Sequence, residues 1–362
     1  MLWILIIAAL LLLIEYLCYH FHLWRYTLFI APTICIFYMV YIIFTIVREQ
    51  ALLTSSYPLW VRILVQLIPL AVSLFSMTAF IIRRYITYKI ISLRKTMLKL
   101  FVFLLCIVFG LLLSTTYFYQ EYVIFYPNDS EADRQYLYQQ TTYRPITIKE
   151  QYHGWLKEAA SSQSIIVFFG GNAQNTASIF RDFEELQIFD HMTSTSFLSV
   201  DYPSYGTSEG SLSQTSLFNM AEAVMDDVYD RYPNQHIYIV GYSIGTGIAS
   251  YAASKYPVTH IALISPYNNG SSLFNSYFPV FYGPLQYLIR YPLTSDEYLS
   301  SIDAQILIAY TKDDTIVKPY LSKQLIQACN ASVNVKEYTD ITHGEMVLDI
   351  NVWYDIIQFL NK

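Results

Sequence analysis

Ile237-Tyr-Ile-Val-Gly-Tyr-Ser-Ile-Gly-Thr-Gly-Ile-Ala-Ser250 decides how this chain is read. Residues 237–240 are a short apolar, largely β-branched run, the pattern of a strand covered on both faces. Gly241-Tyr-Ser243-Ile-Gly245 follows, a serine with a glycine two residues away on each side. Composition alone gives such a G-x-S-x-G on the order of 0.03 times in this chain, so its occurrence carries signal. The pattern predicts a sharp strand-to-helix elbow with Ser243 at the apex. A serine there holds a strained backbone, and the flanking glycines let neighbouring segments pass closely. A helix starting at the serine turns its N–H groups and dipole toward developing negative charge. Gly247, Ala249, Ser250, Ala252 and Ala253 keep that helix slim enough to lie close on a sheet. The plainer reading is a glycine-rich turn with a solvated serine; the order strand, elbow, helix favours the elbow.

Outward from the elbow, short β-branched runs alternate with helical patterns. Strands are expected at 146–149 and 153–156 as a hairpin, then at 164–169, 197–200, 261–265, 306–310 and 333–338. Helices are expected at 175–186, at 216–231 capped by Ser213 or Thr215, at 319–329 and at 345–360. Such alternation predicts an α/β domain with a mostly parallel sheet. An aromatic, proline-rich insert, about 267–300, should form a small lid. Its Phe274, Tyr277, Phe278, Phe281, Tyr282 and Tyr287 either line an acyl-chain groove or simply pack the lid.

Three further stretches bear on the family. They are Phe168-Phe-Gly-Gly-Asn-Ala-Gln-Asn175, Asp201-Tyr-Pro-Ser-Tyr-Gly-Thr-Ser-Glu-Gly210 and Tyr310-Thr-Lys-Asp-Asp-Thr-Ile-Val-Lys-Pro319. Together with the elbow, they make residues 143–362 resemble the α/β-hydrolase fold. Within it they resemble the BEM46-like and depalmitoylase-like serine hydrolases. The three stretches match that branch's H-G-N-A, D-Y-R-G-Y-G-x-S-E-G and G-x-x-D-x-x-V-P segments. The sequence departs from the pattern in places. Gly170 stands where the family has histidine, Pro203 and Ser204 replace R-G, and His343 is followed by Gly344 and Glu345. The first departure leaves open how the loop after residue 169 is braced.

The resemblance implies a nucleophile, then an acid, then a histidine in chain order. Ser243 is the nucleophile. His343 is the base, because it alone among seven histidines follows a late strand, although a surface-loop histidine would look the same. Asp314 lies three residues before Val317, as the family's acid does; Asp313 next to it is the rival. The oxyanion hole is expected from the backbone N–H groups of Ile244 and Asn172. Asp201, Tyr205, Gly206 and Glu209 are read as bracing the site rather than acting in it.

The chain has 362 residues and a net charge of −6, so it has no basic footprint for nucleic acid. Its hydrophobic fraction of 54% is concentrated before residue 120. Four apolar runs, at about 2–19, 26–47, 59–82 and 98–119, are each near the ~20 residues that cross a bilayer as a helix. Buried helices of a large soluble core are the alternative for the group. A cleaved signal peptide is the alternative for the first run, which lacks a basic start and an A-x-A-like site. Arg83, Arg84, Lys89, Arg94, Lys95 and Lys99 precede the fourth run with no acid among them. Acids dominate the segment after it. The positive-inside rule then puts residues 121–362 on the extracytoplasmic side of a multi-pass plasma-membrane protein. Cys18, Cys35 and Cys106 fall in the runs, leaving Cys329 alone in the second part. No disulfide framework or metal-ligand spacing follows from that.

The expectation is an all-α transmembrane region, 1–120, followed by an α/β-hydrolase domain, 121–362. Its reaction is acyl transfer to water on an ester or thioester, lipid-linked ones included, without metal or organic cofactor. Its partners are the bilayer and the acyl substrate. A peptidase acting on exported peptides and a catalytically silent binding module are the alternatives. The sequence leaves the oligomeric state open.

Overall fold

The structure, a computed structural model, describes residues 124–361 together with residues 102, 109, 110, 117, 120 and 121. The first three apolar runs lie outside the described residues, as does nearly all of the fourth. Among the described residues no helix is long and apolar enough to cross a membrane. The chain divides into two units, Met1–Phe118 and Tyr119–Lys362. The second is described from here on.

Its elements in chain order are α1 (Glu131–Gln139), β1 (Tyr143–Ile148), β2 (Tyr152–Lys157), β3 (Ser164–Phe169), α2 (Thr176–Glu185), β4 (Thr195–Val200) and α3 (Gln214–Arg231). Then come β5 (His236–Tyr242), α4 (Gly245–Lys255), β6 (His260–Ile264), α5 (Gly270–Asn275), α6 (Ser295–Leu299), β7 (Gln305–Thr311), α7 (Pro319–Ala328), β8 (Val333–Tyr338), α8 (His343–Met346) and α9 (Ile350–Leu360). The strands form one eight-stranded sheet in the order β1-β2-β4-β3-β5-β6-β7-β8. β2 is antiparallel to both neighbours, and every other pairing is parallel.

The central strands are buried almost end to end, as a sheet covered on both faces requires. Period-two alternation splits each strand between two cores. Ile165, Val167 and Phe169 of β3 join Leu217 and Met220 of α3, Ile248 and Ala249 of α4, and Leu321 of α7. Ile166 and Phe168 join Phe180 and Phe183 of α2 and Trp353 of α9. That second face is aromatic: Phe168, Phe183, Phe197 and Trp353 have ring centroids 4.8–6.1 Å apart. The Trp353 indole N–H donates to the Val347 carbonyl at 2.7 Å, so this bulky ring is buried without an orphaned donor.

Capping explains where several elements differ from the sequence expectation. Asn175 lies outside α2 and caps it, accepting from Ser178 N at 2.9 Å. Ser213, not Thr215, caps α3, with Ser216 completing a reciprocal box. The expected helix at 345–360 is two helices, because Asp349 accepts from Asn351 N and Val352 N and starts α9 afresh. Helix α1 was not expected at all. Leu137 is its one buried residue, so it has no apolar stripe to read.

Candidate active site

All the parallel strands deliver their carboxyl ends to one edge of the sheet. β5 ends there, and the chain turns at Ser243 with φ +52°, the left-handed region that a non-glycine residue occupies at a cost of about 1–3 kcal/mol. Neighbours offset that cost. Ser243 N donates to Ile264 O on β6 at 2.9 Å, and Thr246 donates to Ser243 O from both N (3.0 Å) and Oγ1 (2.6 Å). The elbow glycines are steric necessities. A Cβ on Gly245 would stand 2.2 Å from Phe169 O, and one on Gly241 would stand 2.7 Å from the Ala249 Cβ. Helix α4 starts at Gly245, two residues after the serine rather than at it, with Ile244 at the cap position.

β7 leads to Asp314, and β8 leads through a short loop to His343, the first residue of α8. The structure brings both to Ser243. His343 Nε2 lies 2.9 Å from Ser243 Oγ, and His343 Nδ1 lies 2.7 Å from Asp314 Oδ2. The other carboxyl oxygen, Oδ1, accepts from Ile316 N (2.9 Å) and Val317 N (2.7 Å). A carboxylate only accepts, so Nδ1 carries the hydrogen and the Nε2 lone pair faces the serine hydroxyl. Asp313 is turned elsewhere: its Oδ2 accepts from Asp340 N at 2.8 Å. Ser243, Asp314 and His343 are 8%, 4% and 9% exposed, so these hydrogen bonds lie in a low-dielectric setting.

Tyr242, between Gly241 and Ser243, also holds the histidine. Its hydroxyl donates to His343 O at 2.9 Å, and its ring centroid lies 5.2 Å from the imidazole. Burial raises its phenol well above the ordinary range, with the Asp314 charge adding to the shift, so it stays a donor.

The loop at 170–175 passes beside Ser243. Among the described residues no internal partner takes the N–H of Asn172 or of Ile244. The Asn172 side chain, by contrast, is held at both of its polar atoms. Its Oδ1 accepts from Tyr205 OH, Tyr126 N and Ala173 N, each at 2.9 Å, and its Nδ2 donates to Ile124 O. Gly171 N donates to Gln174 Oε1 at 2.7 Å. Gly170 has no side chain to anchor this loop. Its carbonyl instead accepts from Tyr202 OH at 2.6 Å. Asp201 Oδ1 accepts from Thr176 N at 2.7 Å, tying the loop's far end to the same segment just after β4. Burial pushes the Asp201 carboxyl up to about 6, against the lowering effect of that N–H. Gly206, at φ +50°, passes so close to Asp201 that a Cβ would meet Oδ2 at 2.1 Å.

A family model described as the alpha/beta hydrolase fold matches residues 165–283, from β3 into the lid. The lysophosphatidylserine lipase ABHD12 of Gallus gallus is 26% identical over 207 residues, covering 51% of this chain and 52% of that protein. The ABHD12 of Mus musculus is also 26% identical, over 51% of this chain and 50% of its own. The chain spans about half the length of the curated relatives it matches. Among solved structures, the Pyrococcus furiosus esterase Pf2001 superposes with TM-score 0.50 at 17% identity, over 66% of this chain and 97% of that one. Its second unit has the α/β-hydrolase fold.

Among the described residues the other histidines stand elsewhere in the sheet and its connections. His236 and His260 open β5 and β6 at the opposite end of the sheet, His153 lies in β2, and His191 ends a 3-10 turn. The lid comprises α5, a 3-10 turn at Gly283–Leu288 and α6. Phe281 is buried and meets Phe274 at 5.7 Å, whereas Tyr277, Phe278, Tyr282 and Tyr287 are exposed. Glu209 contributes its backbone, donating to Gln151 O at 2.8 Å. Sequence reasoning missed Tyr202, Tyr242 and Gln174. The missing histidine at 170 was the available signal for Tyr202, since a loop without its usual brace needs another.

Proposed function

We propose that this α/β hydrolase cleaves an acyl ester or thioester through an acyl-serine intermediate, in the manner of the BEM46-like and depalmitoylase-like branch. The observation that carries the reading is the continuous relay from Asp314 Oδ2 to His343 Nδ1 (2.7 Å) and from His343 Nε2 to Ser243 Oγ (2.9 Å). Ser243 Oγ attacks the acyl carbonyl carbon while His343 Nε2 takes its proton. Asp314 holds the imidazole tautomer and stabilises the imidazolium. The N–H groups of Ile244 and Asn172 receive the oxyanion, and the α4 N-terminus adds its dipole. His343 returns the proton to the leaving oxygen or sulfur, and water then repeats the sequence in reverse roles. No step requires a metal or an organic cofactor.

The relatives named as lysophosphatidylserine lipases favour a lipid-linked ester as substrate. The four apolar runs before residue 120 favour a chain anchored in the plasma membrane, and the basic loop before the fourth favours a hydrolase domain outside. Fluorophosphonate labelling tests the nucleophile. Wild type should label and Ser243→Ala should not, with hydrolysis of p-nitrophenyl esters falling by about 10³-fold or more. Equal labelling of both would end the reading. Protease added to intact cells should digest the hydrolase domain if it lies outside.

A further inference from the structure

Residues 261–289 contain no Asp, Glu, Lys, Arg or His. Within this stretch Tyr277, Phe278, Val280, Tyr282 and Tyr287 are 48%, 64%, 54%, 63% and 81% exposed. The exposure is built rather than frayed. Phe281 is pinned between them by Asn275, whose Oδ1 accepts from Phe281 N at 2.8 Å and whose Nδ2 donates to Phe281 O at 3.0 Å. The surface continues toward the relay. Tyr277 OH donates to Ile316 O, and Ile316 and Tyr320 are themselves about half exposed. Exposed apolar side chains therefore reach from the uncharged lid tip to the loop that carries Asp314, where Asp313 and Lys318 flank them. Contiguous apolar surface of this kind normally marks a contact with another apolar phase.

The other end of the lid shows which phase. Gln120 Nε2 donates to Leu288 O at 2.6 Å, and Arg290 N donates to Gln120 Oε1 at 2.8 Å. Arg290 also pairs with Glu121 at 3.5 Å. Gln120 follows directly on the apolar run at 98–119. A chain that leaves a bilayer at the end of that run emerges against the lid. Tyrosine and phenylalanine without charge are the side chains that settle at the level of lipid headgroups.

We infer that the lid tip rests on the lipid surface from which the chain emerges, so that acyl substrates reach Ser243 from the bilayer and not from bulk water. The inference deepens the membrane-anchored reading and rests on it. The full chain is placed in phosphatidylcholine vesicles with its four cysteines replaced by serine. A fluorophore is carried at Phe278→Cys or Tyr287→Cys, or at Tyr354→Cys, an exposed site on α9. Nitroxide-labelled phosphatidylcholine should quench the two lid positions at least about threefold more than position 354. Equal quenching overturns the inference, including the case in which lid labels cross-link two copies of the chain. Alkaline carbonate separates the two failures. A chain washed off the vesicles defeats the anchored reading, whereas a retained chain with unquenched lid labels defeats the lid inference alone. With the native cysteines in place, Phe278→Asp with Tyr287→Asp should keep hydrolysis of a short soluble ester within about twofold. The same double variant should lose about tenfold or more on a long-chain ester in the same vesicles. Loss on both substrates, or on neither, overturns the inference.

Discussion

At the elbow the groups that the turn would strand find partners: Ser243 N meets Ile264 O, and Ser243 O is met twice by Thr246. At the lid tip, five large side chains between Tyr277 and Tyr287 stand in the open. The two regions share one edge of one molecule, and both were conspicuous in the sequence. They differ in what fixes them. The elbow is set by sterics, since Gly245 admits no Cβ against Phe169 O. The lid is set by a few local hydrogen bonds around Phe281 and a clasp at Gln120, which leaves its apolar surface directed outward. Substitutions at the elbow edge should therefore be severe, and substitutions at the lid tip mild unless a lipid substrate is present.

The sharpest break in that comparison is at the acid. Asp314→Asn should lower kcat by about 10³-fold or more, because its oxygen stays with the N–H groups of Ile316 and Val317 and its NH2 then faces Nδ1 and selects the wrong tautomer, while Asp313→Asn stays within about twofold. Steady-state kinetics on a soluble ester would read both, and a large effect at Asp313 would shift the relay by one residue.

Asp201 comes next, and its signature is a pH slope. Its carboxyl ionises near 6 in the folded protein, against an ordinary value of 3.8. Between those values the folded state binds more protons than the unfolded one, so this residue's contribution to stability falls as pH rises through the window. Asp201→Asn does not titrate. Its stability relative to wild type should rise by up to roughly 3 kcal/mol between pH 4 and pH 7, read from urea unfolding at each pH. A flat difference would mean the carboxyl is not shifted by burial.

Tyr202→Phe removes the hydroxyl that stands in for the absent histidine at 170. Leaving Gly170 O without its donor should cost about 1–2 kcal/mol of stability and lower kcat more than it raises KM. An unchanged kcat would mean the loop holds its shape without this contact. The smallest effect belongs to the lid tip: Tyr287→Ser should change stability by less than about 0.5 kcal/mol and leave soluble-ester hydrolysis intact.

The expected α/β-hydrolase fold with a mostly parallel sheet is what the second unit forms, and the fold was readable because buried parallel strands have little choice of residue. Strand β3 was legible to the residue, since Ser164 to Phe169 is an uninterrupted buried run. Helix α1 was invisible because it buries only Leu137. The contact between Ser243, Asp314 and His343 was foreseeable from motif order, whereas Asp313 and Asp314 were separable only by family register. No spacing rule could find Tyr242 or Tyr202, because each acts on a segment far along the chain.

The sequence by itself determined the elbow, the alternation that buries a parallel sheet and the absence of charge between residues 261 and 289, since each is a local demand on side-chain size or solvation. Only the tertiary structure decided which aspartate faces the imidazole, which hydroxyl replaces the missing brace at Gly170 and which way the lid aromatics point. Those outcomes depend on where strands and loops distant in sequence come to lie beside one another, and side-chain identity does not encode that distance.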